Sequence, residues 1–537
     1  MTEAPAGEGW PTAHAALPPL ERRILNRARV RILHLRQEME DLRQAYAERE
    51  DLPGLRTLVE ALLLIAADCE RHVEKHAREL FERFLDGDVP MDEALEEFRG
   101  RIGGIMRPIE DVLPPLLEIA RVPHGRDMEA LVGPYKTLLG ELTNEIGAAR
   151  ELIFEPYVDY GFQLSLLDDL RPLTGSLSED VRRALASLPR LTIIAYPRQL
   201  EAETLIHGVI AHELAHIAID RQVAGEPVAR LREIFESAVE ACYEELRVEI
   251  ATDEQLDLGG DDEQEEALQD AIKEAVERLR KWYEEFVCDA VAVYLLGPAF
   301  LFALLDLDVA SNRWQQLRGT AGVESHPGLA WRVRQLIPHA RHYVRDHDRP
   351  PWQALAQAID TIETVVIDLE DAILPTERHL LERALTQLDG ELLRRVARPA
   401  VFEPENLGQE LDLVWDKLCQ GIPPAERVRY RTRPDRQGEE GTSAAGTAAP
   451  SLQRVLAEWS VPMDWRSVMN GCYIYWTADL ALPEVVAGSP RALPAHPGEV
   501  DAWLRHNAFV RGTIELIDLH NRLSDMRARM DQLNLIP

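Results

Sequence analysis

The sequence predicts a mainly helical α+β protein with one small sheet. Three observations carry that expectation. Apolar residues recur at helical spacing over long stretches, β-branched runs are scarce, and 537 residues at 46% hydrophobic and 28% charged content are enough for several water-facing domains.

Taken in order, residues 1–20 are rich in Ala, Pro and Gly and read as disordered. Residues 22–50 carry Ile24, Val30, Ile32, Leu33, Leu35, Met39 and Leu42 among many charges, the pattern of a bundle or coiled-coil helix. Stretches 55–84 and 128–154 also read as helices, so 21–175 is expected to be a helical N-terminal domain. The clearest strand is 191–196, LTIIAY, stopped by Pro197, and an edge position that lets it pair with an extended peptide is one role open to it. Beyond it, a core region spanning 176–345 contains helices at 228–250 and 267–296, separated by an acidic loop at 253–266. That loop holds Gly259-Gly260-Asp261-Asp262, but its spacing is not that of an EF-hand, and it reads as solvated. The apolar run 290–305 is broken by Gly297-Pro298 and is too short to span a bilayer, so it reads as a buried helix with a break. A helical region at 346–435 is carried by stretches 352–373 and 377–396. The RQGEEGTSAAGTAAPS segment at 436–451 reads as a flexible linker. A C-terminal helical region at 452–537 holds Trp459, Trp465, Tyr473, Tyr475, Trp476 and Trp503 and ends in an amphipathic helix over 500–533; core packing is the ordinary use of such aromatics.

The 93 Asp and Glu residues against 59 Lys and Arg give a net charge of −34, which repels a phosphate backbone, so no nucleic-acid partner is expected. Cys69, Cys242, Cys288, Cys419 and Cys472 are scattered and show no CxxC pair, which predicts neither a disulfide framework nor a cysteine zinc site. The N-terminal residues lack the pattern of a secretory signal, no membrane insertion is expected, and the reading is of a cytoplasmic protein. The N-terminal helices offer a surface for a helical partner or for self-association.

One motif carries chemistry. His212-Glu213-Leu214-Ala215-His216 is an HExxH sequence in which two histidines four residues apart stand on one helix face and can share a metal ion. Glu213 lies between them and can take a proton from an attacking water. Leu205, Val209, Ile210, Leu214 and Ile217 supply an apolar face to bury this helix. A catalytic zinc needs a third protein ligand. The extended form HExxHxxGxxH fails here because Ile219 and Gln222 occupy the required positions. A later helix offers Glu285 and Asp289, four apart, so that Glu285 can bind zinc while Asp289 accepts the outer N–H of a ligand histidine. Glu284 is the rival ligand, but Cys288, not an acid, lies four residues after it.

HELAH, then EFVCD, then Ser325-His326-Pro327 with Arg332, resembles the gluzincin zinc metallopeptidases, and within them the pattern is nearest the HtpX-like and CAAX-prenyl-protease-like branch. The resemblance covers roughly residues 190–340 and implies a zincin-like metallopeptidase core with a small sheet, flanked by helical domains. It implies one zinc ion held by His212, His216 and Glu285, Asp289 behind a ligand histidine, Glu213 as general base, and a protein or peptide substrate. It places His326 as a stabiliser of the transition-state oxyanion, although His326 can equally pack against the following helix, with Arg332 pairing to a nearby acid. The chain departs from those relatives in lacking their transmembrane helices. The activity expected is that of a zinc-dependent endopeptidase; no GxMEN element of an exopeptidase is present. The alternatives are a scaffold protein that keeps the fold without the chemistry, an aminopeptidase, or a specialised peptidase that cleaves a regulator. His72 with His76, and His207, are weaker metal candidates, the first on a polar helix face and the second off the ligand face.

Overall fold

The computed structural model describes residues 19–47, 53–86, 91–121, 126–142, 150–157, 160–163, 177–188, 190–219, 225–254, 262–310, 327–345, 348–365, 374–428, 460–481 and 500–532. Among them helices dominate, with a three-stranded sheet and a two-stranded one. The chain forms two compact units, one from residues 1–125 and 145–196, the other from 126–144 and 197–537.

The first unit is built on α1 (Pro19–Tyr46), α2 (Pro53–Asp86) and α3 (Met91–Arg121), which pack on one another. Leu25, Ala28, Ile32, Leu35 and Met39 recur every three or four residues on α1 and are buried, as are Leu58, Leu62, Ile65 and Val73 on α2 and Phe98, Ile102, Ile109 and Leu113 on α3. Tyr46 at the end of α1 donates to the Ala120 carbonyl at 2.6 Å, closing one end of the bundle. The buried Asp68 accepts from the backbone and hydroxyl of Ser178, the N-cap of α5 (Glu179–Ala186). The sheet consists of β1 (Arg150–Tyr157), β2 (Gly161–Gln163) and β3 (Arg190–Pro197) in the order β1-β3-β2, with β2 antiparallel to β3 and Phe162 opposite Ile194.

Two expectations change here. Of the stretch 128–154 read as helical, α4 (Arg126–Leu142), which belongs to the second unit, is a helix, whereas residues 150–154 lie in β1, where Leu152, Ile153 and Phe154 are all buried. A run of consecutive buried apolar residues suits a covered strand as well as a helix, and periodicity alone does not separate them. The strand foreseen at 191–196 is present as β3, but it is the middle strand of the three, with β2 paired to it at Ile193–Ala195, and not the edge strand considered for peptide addition.

The second unit is organised around α8 (Asp262–Leu296), which contacts α6 (Ile210–Ile219), α7 (Glu226–Asp253), α9 (Ala299–Ala310), α10 (Leu329–Arg341), α12 (Pro375–Leu385) and α13 (Gly390–Ala397). The start of α8 takes in Asp262 to Glu266, part of the stretch read as an acidic loop; acids in a first turn face the positive end of the helix dipole and help it form. The foreseen break in the apolar run is at Gly297, whose φ of 82° suits glycine, and where a Cβ would lie 2.8 Å from the Asn470 side chain. Asn470 donates to the Leu296 carbonyl and accepts from the Ala299 amide, both at 2.7 Å, so it satisfies the end of one helix and the start of the next.

The stretch 377–396 is two helices, not one. Asp389 caps α13 by accepting from the Leu392 amide at 2.7 Å, so the Asp389-Gly390 pair starts a new helix. The stretch 352–373 is helical as far as α11 (Pro350–Val365) extends. α14 (Pro404–Gln420), the β4 (Glu426–Val428) and β5 (Ser460–Pro462) pair, α15 (Trp465–Ala481) and α16 (Val500–Gln532) complete the unit. Of the C-terminal aromatics, Trp465, Tyr473 and Tyr475 are buried in the core: Trp465 meets Tyr135 edge-on at 5.1 Å and Tyr475 meets Trp415 at 5.3 Å; Trp459 lies outside the described residues. The linker expected at 436–451 and His326 lie outside the described residues. None of the described helices is long and apolar enough to cross a membrane.

Candidate metal centre

The HExxH segment is held from both ends of its approach. A 3₁₀ turn, Ile206–Val209, leads into α6, and Tyr135 of α4 donates to the His207 carbonyl at 2.7 Å. One residue earlier in the turn's approach, the Leu205 amide donates to Asn507 of α16 at 2.8 Å. Leu205, Val209, Ile210, Leu214 and Ile217 are all buried, as their helical spacing predicts. The helix is therefore sunk in the unit, and His212 and Glu213 are buried with it.

The two histidines face each other across one turn. Their Nε2 atoms are 3.1 Å apart and their rings are nearly perpendicular. Helix α8 lies against α6 and presents Glu285, Cys288 and Asp289, at positions i, i+3 and i+4, on one face. The Glu285 carboxylate spans both rings, one oxygen 3.2 Å from His212 Nε2 and the other 3.3 Å from His216 Nε2. Asp289 lies 2.8 Å from His212 Nδ1, the outer nitrogen of that ring. Cys288 Sγ lies 3.2 Å from His216 Nδ1, the outer nitrogen of the other. Glu284, the rival to Glu285, is exposed.

Arg332 of α10 completes the arrangement. Its guanidinium donates to both oxygens of Asp289 at 2.7 Å and stands 3.9 Å from Glu285. The pairing of Arg332 with a nearby acid, foreseen in the sequence, is thus with Asp289, itself fully buried. Such a bidentate, charge-assisted pair fixes the carboxylate plane and with it the ring that the carboxylate holds.

The electrostatics follow from burial and from these neighbours. Burial pulls the His212 pKa down, but the Glu285 and Asp289 carboxylates outweigh it and lift the group to about 10. Burial raises the pKa of Glu285 and Asp289, yet His212 and Arg332 hold both carboxyls below their ordinary values. Glu213 responds differently: burial raises its pKa, and although the two histidines oppose the rise, the net shift is upward. A carboxylate shifted toward neutrality can both take and return a proton.

The donor set fits a metal ion. His212, His216 and Glu285 offer ligand atoms that all lie within 4.8 Å of one another. Ligands at about 2.0 Å in a tetrahedron are separated by about 3.3 Å, close to the spacing of these three groups. With its hydrogen on Nδ1, 2.8 Å from Asp289, a neutral His212 ring turns a lone pair from Nε2 toward carboxylate oxygens and a second imidazole. Converging lone pairs repel unless a cation lies among them, and the raised His212 pKa is the protonic form of that demand. A divalent ion must displace this proton. Binding at pH 7 is therefore expected to release about one proton per ion, and affinity to rise about tenfold per pH unit from neutrality toward the His212 pKa. Zinc titrations by calorimetry in buffers of different ionisation enthalpy check this; uptake with no proton release would refute the assignment of His212.

The other histidines are occupied elsewhere. His76 pairs with Glu79 and lies beside Arg101, on the polar face expected for it. His207 is buried and held neutral, its pKa lowered to about 4 by burial. None of the five cysteines forms a disulfide. The position of Cys288 behind His216, and of Phe300 with its ring parallel to that of His212 at 6.4 Å, did not come from the sequence reading. The i+3 offset of Cys288 from Glu285 was the available signal for the first; the second joins elements on either side of the Gly297 break and leaves no local pattern. No family model matches the chain, and no curated protein or solved structure is detectably similar to it.

Proposed function

We propose that the protein is a zinc-dependent endopeptidase of the gluzincin type, with its metal-site helices α6 and α8 in the second unit. The observation that carries this reading is the convergence of His212, His216 and Glu285 within 3.1–3.3 Å, with Glu213 buried between the two histidine positions. His212, His216 and Glu285 would hold the ion. Zinc bound there supplies Lewis acidity, which makes water a nucleophile at neutral pH and polarises the scissile carbonyl. Glu213 takes the proton of the attacking water and passes it to the leaving amine. Asp289, oriented by Arg332, keeps His212 in the tautomer whose Nε2 is free to coordinate. Retention of Glu213, which metal binding alone does not require, supports an enzyme over a scaffold that keeps only the fold.

The test is cleavage of an unbiased peptide library by protein loaded with zinc, with and without a chelator. Internal cleavage abolished by chelator and restored by zinc is the expected result. Protein that takes up no zinc, or hydrolysis indifferent to chelator, overturns the proposal. Within the site, Glu285→Ala is expected to lower zinc affinity by more than the roughly 10–100-fold typical of removing an outer partner, while Glu284→Ala leaves it close to wild type. The reverse order would move the third ligand to Glu284.

A further inference from the structure

The two ligand histidines are backed by different chemistry. His212 has a carboxylate, Asp289, at its outer nitrogen, and that carboxylate is itself held by Arg332. His216 has a thiol. Cys288 Sγ is 3.2 Å from His216 Nδ1. We infer that Cys288 is a positioning residue of the metal centre, holding His216 through its outer nitrogen as Asp289 holds His212; the inference rests on the metal reading proposed above.

Three features support this. First, Cys288 is fully buried among the site residues, so bulk water does not compete for the ring nitrogen through this side chain. Second, Glu285, Cys288 and Asp289 lie on one face of a single helix, so α8 delivers a ligand and the outer partners of both other ligands as one rigid unit. Third, the protonation pattern is forced. A metal on Nε2 leaves the imidazole hydrogen on Nδ1, and that N–H then points at sulfur, a weak acceptor. The contact selects the ring tautomer and orientation that coordination needs. A neutral thiol does so without adding a fourth carboxylate to a site that already holds Glu213, Glu285 and Asp289.

The chemistry also makes the site asymmetric. A carboxylate acceptor raises the basicity of its histidine more than a thiol does, so His216 is the more weakly fixed ligand. His216 is also the more exposed of the two, its side chain 21% accessible against 5% for His212. The weaker grip falls on the ring nearer to solvent.

The experiment compares full-length wild type, Cys288→Ala and Cys288→Ser. Zinc affinity is read by competition with a chromophoric chelator, and the imidazole N–H resonances of the zinc-loaded proteins are read by NMR with ¹⁵N-labelled histidine. Cys288→Ala is expected to weaken zinc about 10-fold, the low end of the range for an outer partner, and to broaden or shift the His216 Nδ1–H signal while leaving that of His212 in place. Cys288→Ser restores a polar partner and is expected to recover part of the affinity and the signal. A merely structural role would lower the thermal midpoint of the metal-free Ala variant with no change in the His216 resonance or in affinity, and that result overturns the inference. Equal zinc affinity in all three proteins overturns it also. Failure of wild type itself to bind zinc removes the metal reading and the inference together, and is distinguishable because no variant comparison is then needed to see it.

Discussion

Replacing Glu213 by glutamine is expected to leave the fold and zinc binding intact and to abolish hydrolysis. Glutamine keeps the length and volume of the side chain, which matters because Glu213 is buried in a helix most of whose residues are buried. It removes the one property the mechanism requires, a carboxylate that accepts a proton. The buried position raises the Glu213 pKa, so the neutral amide meets an environment that already disfavours charge, and no loss of stability is expected from the exchange. The loss of turnover should be at least the ~10²–10⁴-fold typical of removing a general base. Zinc content by metal analysis, thermal unfolding and cleavage of a verified peptide are the three measurements. Equal turnover by wild type and variant would show that Glu213 is not the base. Loss of zinc together with turnover would instead assign it a structural role beside the two histidines.

The candidate site is more legible in the sequence than the fold around it, and the reason is geometric. HExxH encodes a contact between residues one helical turn apart, and helix geometry converts that spacing directly into two imidazoles whose Nε2 atoms are 3.1 Å apart. The choice of Glu285 over Glu284 was also local, because only Glu285 has an acid one turn on, and that acid is indeed at the outer nitrogen of His212. What the sequence did not yield lies between elements or at their ends. Nothing local distinguishes the strand at 150–157 from the end of a helical stretch, since its identity depends on β3, some forty residues later. Nor does local composition reveal that β3 is a central strand. Apolar spacing continues across α12 and α13 and points to one helix, whereas the Asp389 cap that starts the second is a local side-chain hydrogen bond. Charge runs are usually solvated, which points to a loop at the first turn of α8, and here the same charges favour a helix start.

Removal of Asp289 is expected to have the largest combined effect on stability and metal binding of any single truncation behind the ligands. The carboxylate is fully buried, accepts two hydrogen bonds from Arg332 and lies 2.8 Å from His212 Nδ1. In Asp289→Ala the Arg332 guanidinium, on a side chain only 13% accessible, is left with Glu285 3.9 Å away. Breaking one side of a buried ion pair costs about 3–5 kcal/mol, most of it from the charge left behind. The His212 ring loses its outer partner, which should weaken zinc a further 10–100-fold. Asp289→Asn separates the two effects. Its amide oxygen can still accept from His212 or Arg332, so zinc affinity should exceed that of the alanine variant, while the lost charge keeps stability below wild type. The pH dependence has a defined sign. The Asp289 pKa is lowered in the folded protein, so its contribution is present above the ordinary aspartate value near 3.9 and is lost as pH falls through the folded pKa. Denaturant unfolding of the metal-free proteins should therefore show a wild-type advantage over Asp289→Ala that is full at neutral pH and shrinks in acid. An advantage of under about 1 kcal/mol at pH 7 would mean that the Asp289–Arg332 pair is not the buried interaction described here, because even an exposed pair reaches that range.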